Sequence, residues 1–202
     1  MRGALPSRDG NAMPPVRKTR IPSSTVMSGK SARALSLAHE RSGGKPVLFV
    51  ATAQALDEEM RARIAVHRSE RPAHWLTLEE PQDLANALRV RLNADTDRPA
   101  LVVIDCLTLW VSNILLALDD DADAEALLAD RTRALLEVFR LYHATTPTLV
   151  VTNEVGLGVV PATSLGRRYR DALGRVNQIV AAAADEVILL VSGIDVPIKP
   201  RG

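Results

Sequence analysis

The sequence holds a single cysteine, Cys106, in 202 residues. One thiol excludes an intrachain disulfide framework and a cysteine-based metal site, and it suits a reducing compartment, the cytoplasm by default. Aromatic residues are scarce at 3%, so the core must be built from Leu, Val, Ile and Ala. A stacking platform for single-stranded nucleic acid therefore has little to be made from. Net charge is nearly absent, with 25 Lys and Arg against 24 Asp and Glu. No overall field draws in nucleic acid or a membrane surface, and an anionic ligand must be held by local groups. No apolar run approaches the roughly 18–20 residues that a membrane span needs. The first 22 residues carry Arg2, Arg8, Arg17, Lys18 and Arg20 but no apolar stretch of the kind a secretory signal requires. What is present is a globular composition, 47% hydrophobic and 24% charged, at the length of one domain.

Apolar, β-branched runs alternate with helical patterns, as in a parallel sheet flanked by helices. Pro46 to Ala51 reads as a strand, and a helix follows from about Leu56 to His67, with Leu56, Met60 and Ile64 expected on its buried face. Trp75 to Leu78 is a short extended stretch, followed by a helix opened by Pro81 and running to about Leu92. Ala100 to Ile104 is uniformly apolar, which suits a strand covered on both faces, and it ends in Asp105. Leu107 to Leu118 reads as helix, Asp119 to Asp123 as a solvated acidic turn without EF-hand spacing, and the next helix extends to about His143. Thr148 to Thr152 is another buried strand, Ser164 to Ala184 a helix, and Val187 to Val191 a strand that completes the alternation.

The sharpest local motif is Ser28-Gly29-Lys30-Ser31 ahead of a helix-forming run, Ala32 to His39. A phosphate loop needs inward backbone N–H groups, a lysine for the β- and γ-phosphates and a hydroxyl for Mg²⁺, all at a helix N-terminus. Gly29, Lys30 and Ser31 fit those parts. The full pattern has glycine where this chain has Ser24. The strand that should lead into the loop is replaced by Pro14 to Pro22, rich in charge and proline, which is poor material for a buried strand.

From Ser28 to Lys199 the motifs resemble the bifunctional adenosylcobinamide kinase and adenosylcobinamide-phosphate guanylyltransferase family of cobalamin biosynthesis. They are Ser28-Gly-Lys-Ser31, Ala51-Thr-Ala53, Asp57-Glu-Glu-Met60, Arg63-Ile64, His67-Arg68, Arg71-Pro-Ala-His-Trp75, Val151-Thr-Asn-Glu-Val-Gly156, Arg170-Asp171 and Gly174-Arg-Val-Asn-Gln178. The resemblance implies an α/β, P-loop NTPase-like (RecA-like) fold with a mainly parallel sheet, its first strand region degraded here. It implies phosphorylation of adenosylcobinamide by ATP or GTP, then transfer of GMP from GTP through a GMP-histidine intermediate, in a homo-oligomer, a trimer.

Under that resemblance His67 is the guanylylated residue, and a neutral imidazole is a competent nucleophile toward phosphorus. Arg68 and Arg71 are cations suited to the charge on a transferring phosphoryl group. The nucleotide set is completed by Ser24, Ser28, Gly29, Lys30, Ser31, Ala51, Thr52, Ala53, Ser69, Glu70, Glu79 and Asp105, with Ser31 and Asp105 as the Mg²⁺ pair. Simpler readings stand beside these. Glu59, Arg63 and His67 also make an exposed polar stripe; Asp105 also reads as a helix cap, Thr52 as a helix-start hydroxyl and Glu79 as a surface carboxylate. Asp171 and Arg175 fall within ion-pair reach on the last long helix, whose polar face suits solvent, substrate or a neighbouring subunit. Cys106 reads as a small buried hydrophobe.

Two expectations concern the N-terminus. Residues 1–22 are expected to be irregular and poorly packed, with 23–202 forming one nucleotide-binding domain recognisable from Lys45 onward. The abrupt onset of the resemblance at Ser28 is what a shifted frame or misassigned start would produce, so residues 1–27 are read as non-native. The alternative to the enzyme is a catalytically impaired relative with a degraded phosphate loop, acting as a non-enzymatic subunit.

Overall fold

The computed structural model describes residues 29–94, 98–118 and 123–200. The expectations for the chain before Gly29, Ser24 and Ser28 among them, and for most of the acidic turn (119–122), lie outside the described residues. In chain order the elements are α1 (Lys30–Ser42), β1 (Val47–Ala51), α2 (Glu58–Ser69), β2 (Leu76–Glu79), α3 (Leu84–Asn93) and β3 (Leu101–Asp105). They continue with α4 (Leu107–Leu116), α5 (Ala124–Tyr142), β4 (Thr148–Val151), α6 (Ser164–Ala183), β5 (Val187–Val191) and β6 (Ile194–Lys199).

The first four strands form one parallel sheet in the order β2-β1-β3-β4. Parallel strands need crossovers, and the intervening helices cover both faces, which is why β1 and β3 read as unbroken apolar runs. Their side chains divide by parity. Leu48, Val50, Val102 and Ile104 enter a core with α3, α4, α5 and α6. Val47, Phe49, Ala51, Leu101, Val103 and Val151 face the other way, onto Ala34 and Ala38 of α1. Each fully buried Leu or Val here contributes roughly 1.5–3 kcal/mol, so the two layers reinforce the strand preference of these β-branched and aromatic residues. Helix α4 is apolar on nearly every side and correspondingly buried, with Leu107, Trp110, Val111, Ile114 and Leu115 all inside.

The structure departs from the sequence reading in three places. Helix α2 has no fully buried residue; Met60 and Ile64 are half-buried, and Leu56 lies ahead of the helix, 74% exposed. Asp57 starts α2, accepting from Met60 N–H at 2.7 Å, and leaves Leu56 outside. Helix α3 opens at Leu84 behind an Asp83 cap, because the Glu80 carboxylate takes Gln82 and Asp83 N–H and holds 81–83 in a bend. Finally, β5 does not join the parallel sheet; it pairs antiparallel with β6. Ser192 and Gly193, at φ 52° and 79°, make the two-residue turn with both centres left-handed that matches hairpin twist. Salt bridges hold this hairpin to α1, Arg33 to Asp195 and Arg41 to Glu186, each at 2.6 Å. No helix among the described residues is long and apolar enough to cross a membrane.

Candidate active site

In-register pairing lines up Glu79, Ala51, Asp105 and Val151 at the carboxyl ends of β2, β1, β3 and β4. Ligands of open α/β sheets bind at that edge. By strand parity these four side chains lie on the α1 face of the sheet. Helix α1 opens there at Gly29, whose φ of 74° is left-handed and favours glycine. A Cβ at Gly29 would also meet Gly193 Cα at 3.7 Å, so the loop start and the β5–β6 turn are neighbours. Among the described residues no side chain caps α1, and its first turn has no acidic residue. Lys30 and Ser31 therefore occupy a helix start whose N–H groups and dipole favour an anion.

Asp105 is half-buried at the tip of β3, and its peptide to Cys106 is cis. The helix-cap reading does not hold for it. Cys106, not Asp105, is the N-cap of α4. Asp105 thus keeps its carboxylate for other partners, and the Arg71 guanidinium lies in its field. Arg71 sits over the Phe49 ring at 3.7 Å, half-buried, with Nε enclosed and without a hydrogen-bond partner among the described residues. Burial lowers the Arg71 pKa, and the negative charge of Asp105 opposes that shift. Phe49 belongs to β1, so this contact carries the loop after α2 back over the sheet.

His67 is in the last turn of α2, its side chain 31% exposed, with Nδ1 3.4 Å from Glu70 Oε2. A carboxylate on that side can orient the ring through Nδ1, leaving Nε2 as the nitrogen open to chemistry. Arg68 reaches Glu79 at 3.6 Å, which links the end of α2 to the end of β2. Ser69 donates to the Val66 carbonyl at 2.7 Å and finishes the helix. The polar stripe is present as well, with Glu59 paired to Arg63 at 2.8 Å, while His74 is exposed.

Thr52 is not a helix-start hydroxyl, since Asp57 has that task. It is fully buried, and its hydroxyl donates to the Cys106 carbonyl and accepts from Cys106 N–H, both at 2.8 Å. Ala53 is half-buried in the turn that follows. Cys106 is half-buried against the α1-side core, and burial pushes its thiol pKa up, as suits a packing role. On α6 the expected Asp171–Arg175 pair gives way to Asp171–Arg170 at 3.1 Å. Arg167 turns back to the Pro161 and Ala162 carbonyls at 3.1 and 2.7 Å.

A network that motif reading does not resolve joins β4 to α4 and α6. Thr152 donates to Asn177 at 2.7 Å, Asn177 donates to the Asn153 carbonyl at 2.9 Å, and Asn153 N–H donates to Thr108 at 3.0 Å. It gives the Val151-Thr-Asn-Glu and Gly174-Arg-Val-Asn motifs one shared job, fixing the loop after β4.

The family model described as cobinamide kinase / cobinamide phosphate guanyltransferase matches residues 24–198. The chain belongs to this family. The bifunctional adenosylcobalamin biosynthesis protein CobP of Pseudomonas aeruginosa is 44% identical over 172 residues, spanning 85% of this chain and 92% of that protein. The corresponding CobU of Salmonella typhimurium is 43% identical over 179 residues, and that of Escherichia coli 43% over 180, each spanning 85% of this chain and 94% of the relative. For a member of the cobinamide kinase family, the four-stranded parallel sheet flanked by helices is the P-loop-like fold expected from its motifs.

Proposed function

We propose that this chain phosphorylates adenosylcobinamide with ATP or GTP and then transfers GMP from GTP to adenosylcobinamide phosphate, giving adenosylcobinamide-GDP. The observation that carries the reading is the match of one bifunctional family along residues 24–198, spanning both the α1 start and the His67 helix. Nothing observed favours the non-enzymatic alternative.

In this reading residues 23–202 act as one domain. Ser24, Ser28, Gly29, Lys30 and Ser31 cradle the phosphates, while Ala51, Ala53, Glu79 and the segment Arg68 to Arg71 surround the nucleotide, and the fully buried Thr52 serves as a support between its two neighbours. His67 Nε2 attacks the α-phosphorus of GTP: an N–P bond forms, the bond to the bridging oxygen breaks, and pyrophosphate leaves. A phosphate oxygen of adenosylcobinamide phosphate then attacks the same phosphorus, the N–P bond breaks, and the new diphosphate carries GMP. Arg68 and Arg71 supply positive charge where it builds up in transfer. Asp105 and Ser31 are a carboxylate and a hydroxyl, hard oxygen donors of the kind Mg²⁺ takes. When bound, the ion neutralises phosphate charge.

The chain acts in the cytoplasm as a homo-oligomer, a trimer by family likeness. Exposed Leu157 at 80% and Val159 at 95% support such an association, since large apolar side chains clustered on one loop favour a partner. The test is intact-protein mass spectrometry after incubation with GTP and Mg²⁺. A GMP-sized gain that His67→Ala abolishes is expected; a gain that survives the substitution moves the nucleophile elsewhere, and no gain in the parent chain counts against transfer by this chain.

A further inference from the structure

Beneath the carboxyl edge of the sheet, two side chains stitch three strand ends together. Thr52, the first residue past β1, binds Cys106 at both its N–H and its carbonyl, each at 2.8 Å. Its own N–H donates to the Asp105 carbonyl at 3.1 Å. Its carbonyl accepts from Asn113 Nδ2 at 2.7 Å, and the same nitrogen reaches the Pro81 carbonyl just past β2 at 3.1 Å. Asn113 is a lone amide on the buried side of α4, 9% exposed among Trp110, Ile114 and other apolar neighbours. Gln82 continues the connection, donating to the Asn113 carbonyl at 3.4 Å and accepting from Trp110 Nε1 at 2.8 Å.

A buried amide loses its water shell and recovers that loss only through its hydrogen bonds, so for stability alone a leucine would serve α4 as well. A satisfied buried network does what a leucine cannot, which is to select one geometry. The geometry selected here is that of Asp105. Its carbonyl is held by Thr52 N–H, and the next residue is held at both its N–H and its carbonyl by the Thr52 hydroxyl, so the backbone that bears the carboxylate is fixed relative to β1 and β2. Neither Thr52 nor Asn113 has a side-chain donor left for a ligand on the α1 side.

We propose that Thr52 and Asn113 are positioning residues that set the Asp105 carboxylate for metal-nucleotide binding, acting through the backbone of three strand ends and not by touching nucleotide. This rests on the reading of Asp105 as the carboxylate that serves Mg²⁺.

The test uses Mn²⁺ as a spin-active probe in place of Mg²⁺. Free Mn²⁺ is read by electron paramagnetic resonance as the full chain is titrated with GDP present, and GDP affinity without metal is measured separately. Loss of an outer-sphere partner typically weakens metal binding 10–100-fold. Thr52→Val and Asn113→Leu are therefore expected to weaken Mn²⁺ binding about tenfold or more, with metal-free GDP affinity unchanged. Thr52→Ser, which keeps the hydroxyl, should stay within about twofold of the parent. Parent-like Mn²⁺ binding in Thr52→Val overturns the proposal. So does a loss of metal-free GDP affinity in Thr52→Val that Thr52→Ser restores, because the hydroxyl would then be a nucleotide contact. If Asp105→Asn binds Mn²⁺ as the parent does, or the parent binds none, the Asp105 reading itself fails and takes the proposal with it. Should Asn113→Leu not fold, the Thr52→Val and Thr52→Ser pair decides alone.

Discussion

Arg33, in the first turn of α1, grips Asp195 of β6 with Nε at 2.8 Å and Nη2 at 2.6 Å from the same carboxylate oxygen. The partners stand far apart in sequence, and each side chain is about a third exposed, at 31% and 33%. The pair fixes the start of α1 against the hairpin beside it. Partial exposure screens the attraction, so removing one partner should cost only about 1 kcal/mol. In a chain of this size that is a melting point lower by roughly 2–4 °C. Arg33→Met and Asp195→Asn are each expected to show it, with less than the sum in the double variant; additive losses in calorimetry would mean the contact is not formed.

Glu70 faces His67 Nδ1. If it orients the ring and supports positive charge during attack, Glu70→Gln should slow formation of the GMP adduct by about tenfold, the lower end for an orienting partner of an imidazole. The adduct should still form on His67, seen by peptide mapping. Rapid-quench kinetics check the rate, and an unchanged rate would leave the contact a surface ion pair.

The Arg71 guanidinium carbon lies 3.7 Å from the centre of the Phe49 ring, in the field of Asp105. Lysine keeps the charge but has no planar group to lay on the ring. Arg71→Lys should therefore lose GTP affinity by about tenfold, while Phe49→Leu loses less, about 0.5–1 kcal/mol. Isothermal titration of both variants and the double variant measures the coupling; a coupling of zero would show that the ring does not hold the guanidinium in solution.

The Cys106 thiol has its pKa raised by burial, with the Asp105 charge acting in the same direction. The thiolate is the reactive form, so below the raised pKa little is present. Iodoacetamide at neutral pH should leave Cys106 largely unmodified in the folded chain, with modification quickening as pH rises and again on adding denaturant. Rapid labelling at pH 7 would contradict the packing role.

Most of the fold is legible because it rests on period and burial. The runs through Val47 and Leu101 are apolar without alternation, as strands covered on both faces must be, and Asp105 stands out as a carboxylate at the end of one. The four-residue spacing of Leu56, Met60 and Ile64 misleads, because a spacing says nothing about where Asp57 starts the helix or whether anything packs on it. The β5–β6 hairpin is hidden by its second strand, where Asp195 and Pro197 interrupt the apolar pattern, although Ser192-Gly193 is a genuine turn signal. At the site, residue types were readable and relationships were not. Thr52 meets Asp105 and Asn113 only when three strand ends come together, and the sole sequence trace is one amide inside the apolar run from Leu107 to Leu116.

Because α2 has no fully buried residue, the helix that carries His67 is almost absent from the energetics of folding. A melting curve of this protein reports on the sheet, on α1 and on α3 to α6. Substitutions along α2 can leave the transition temperature in place, so a screen that ranks variants by thermal stability is blind to the helix on which the proposed transfer chemistry rests.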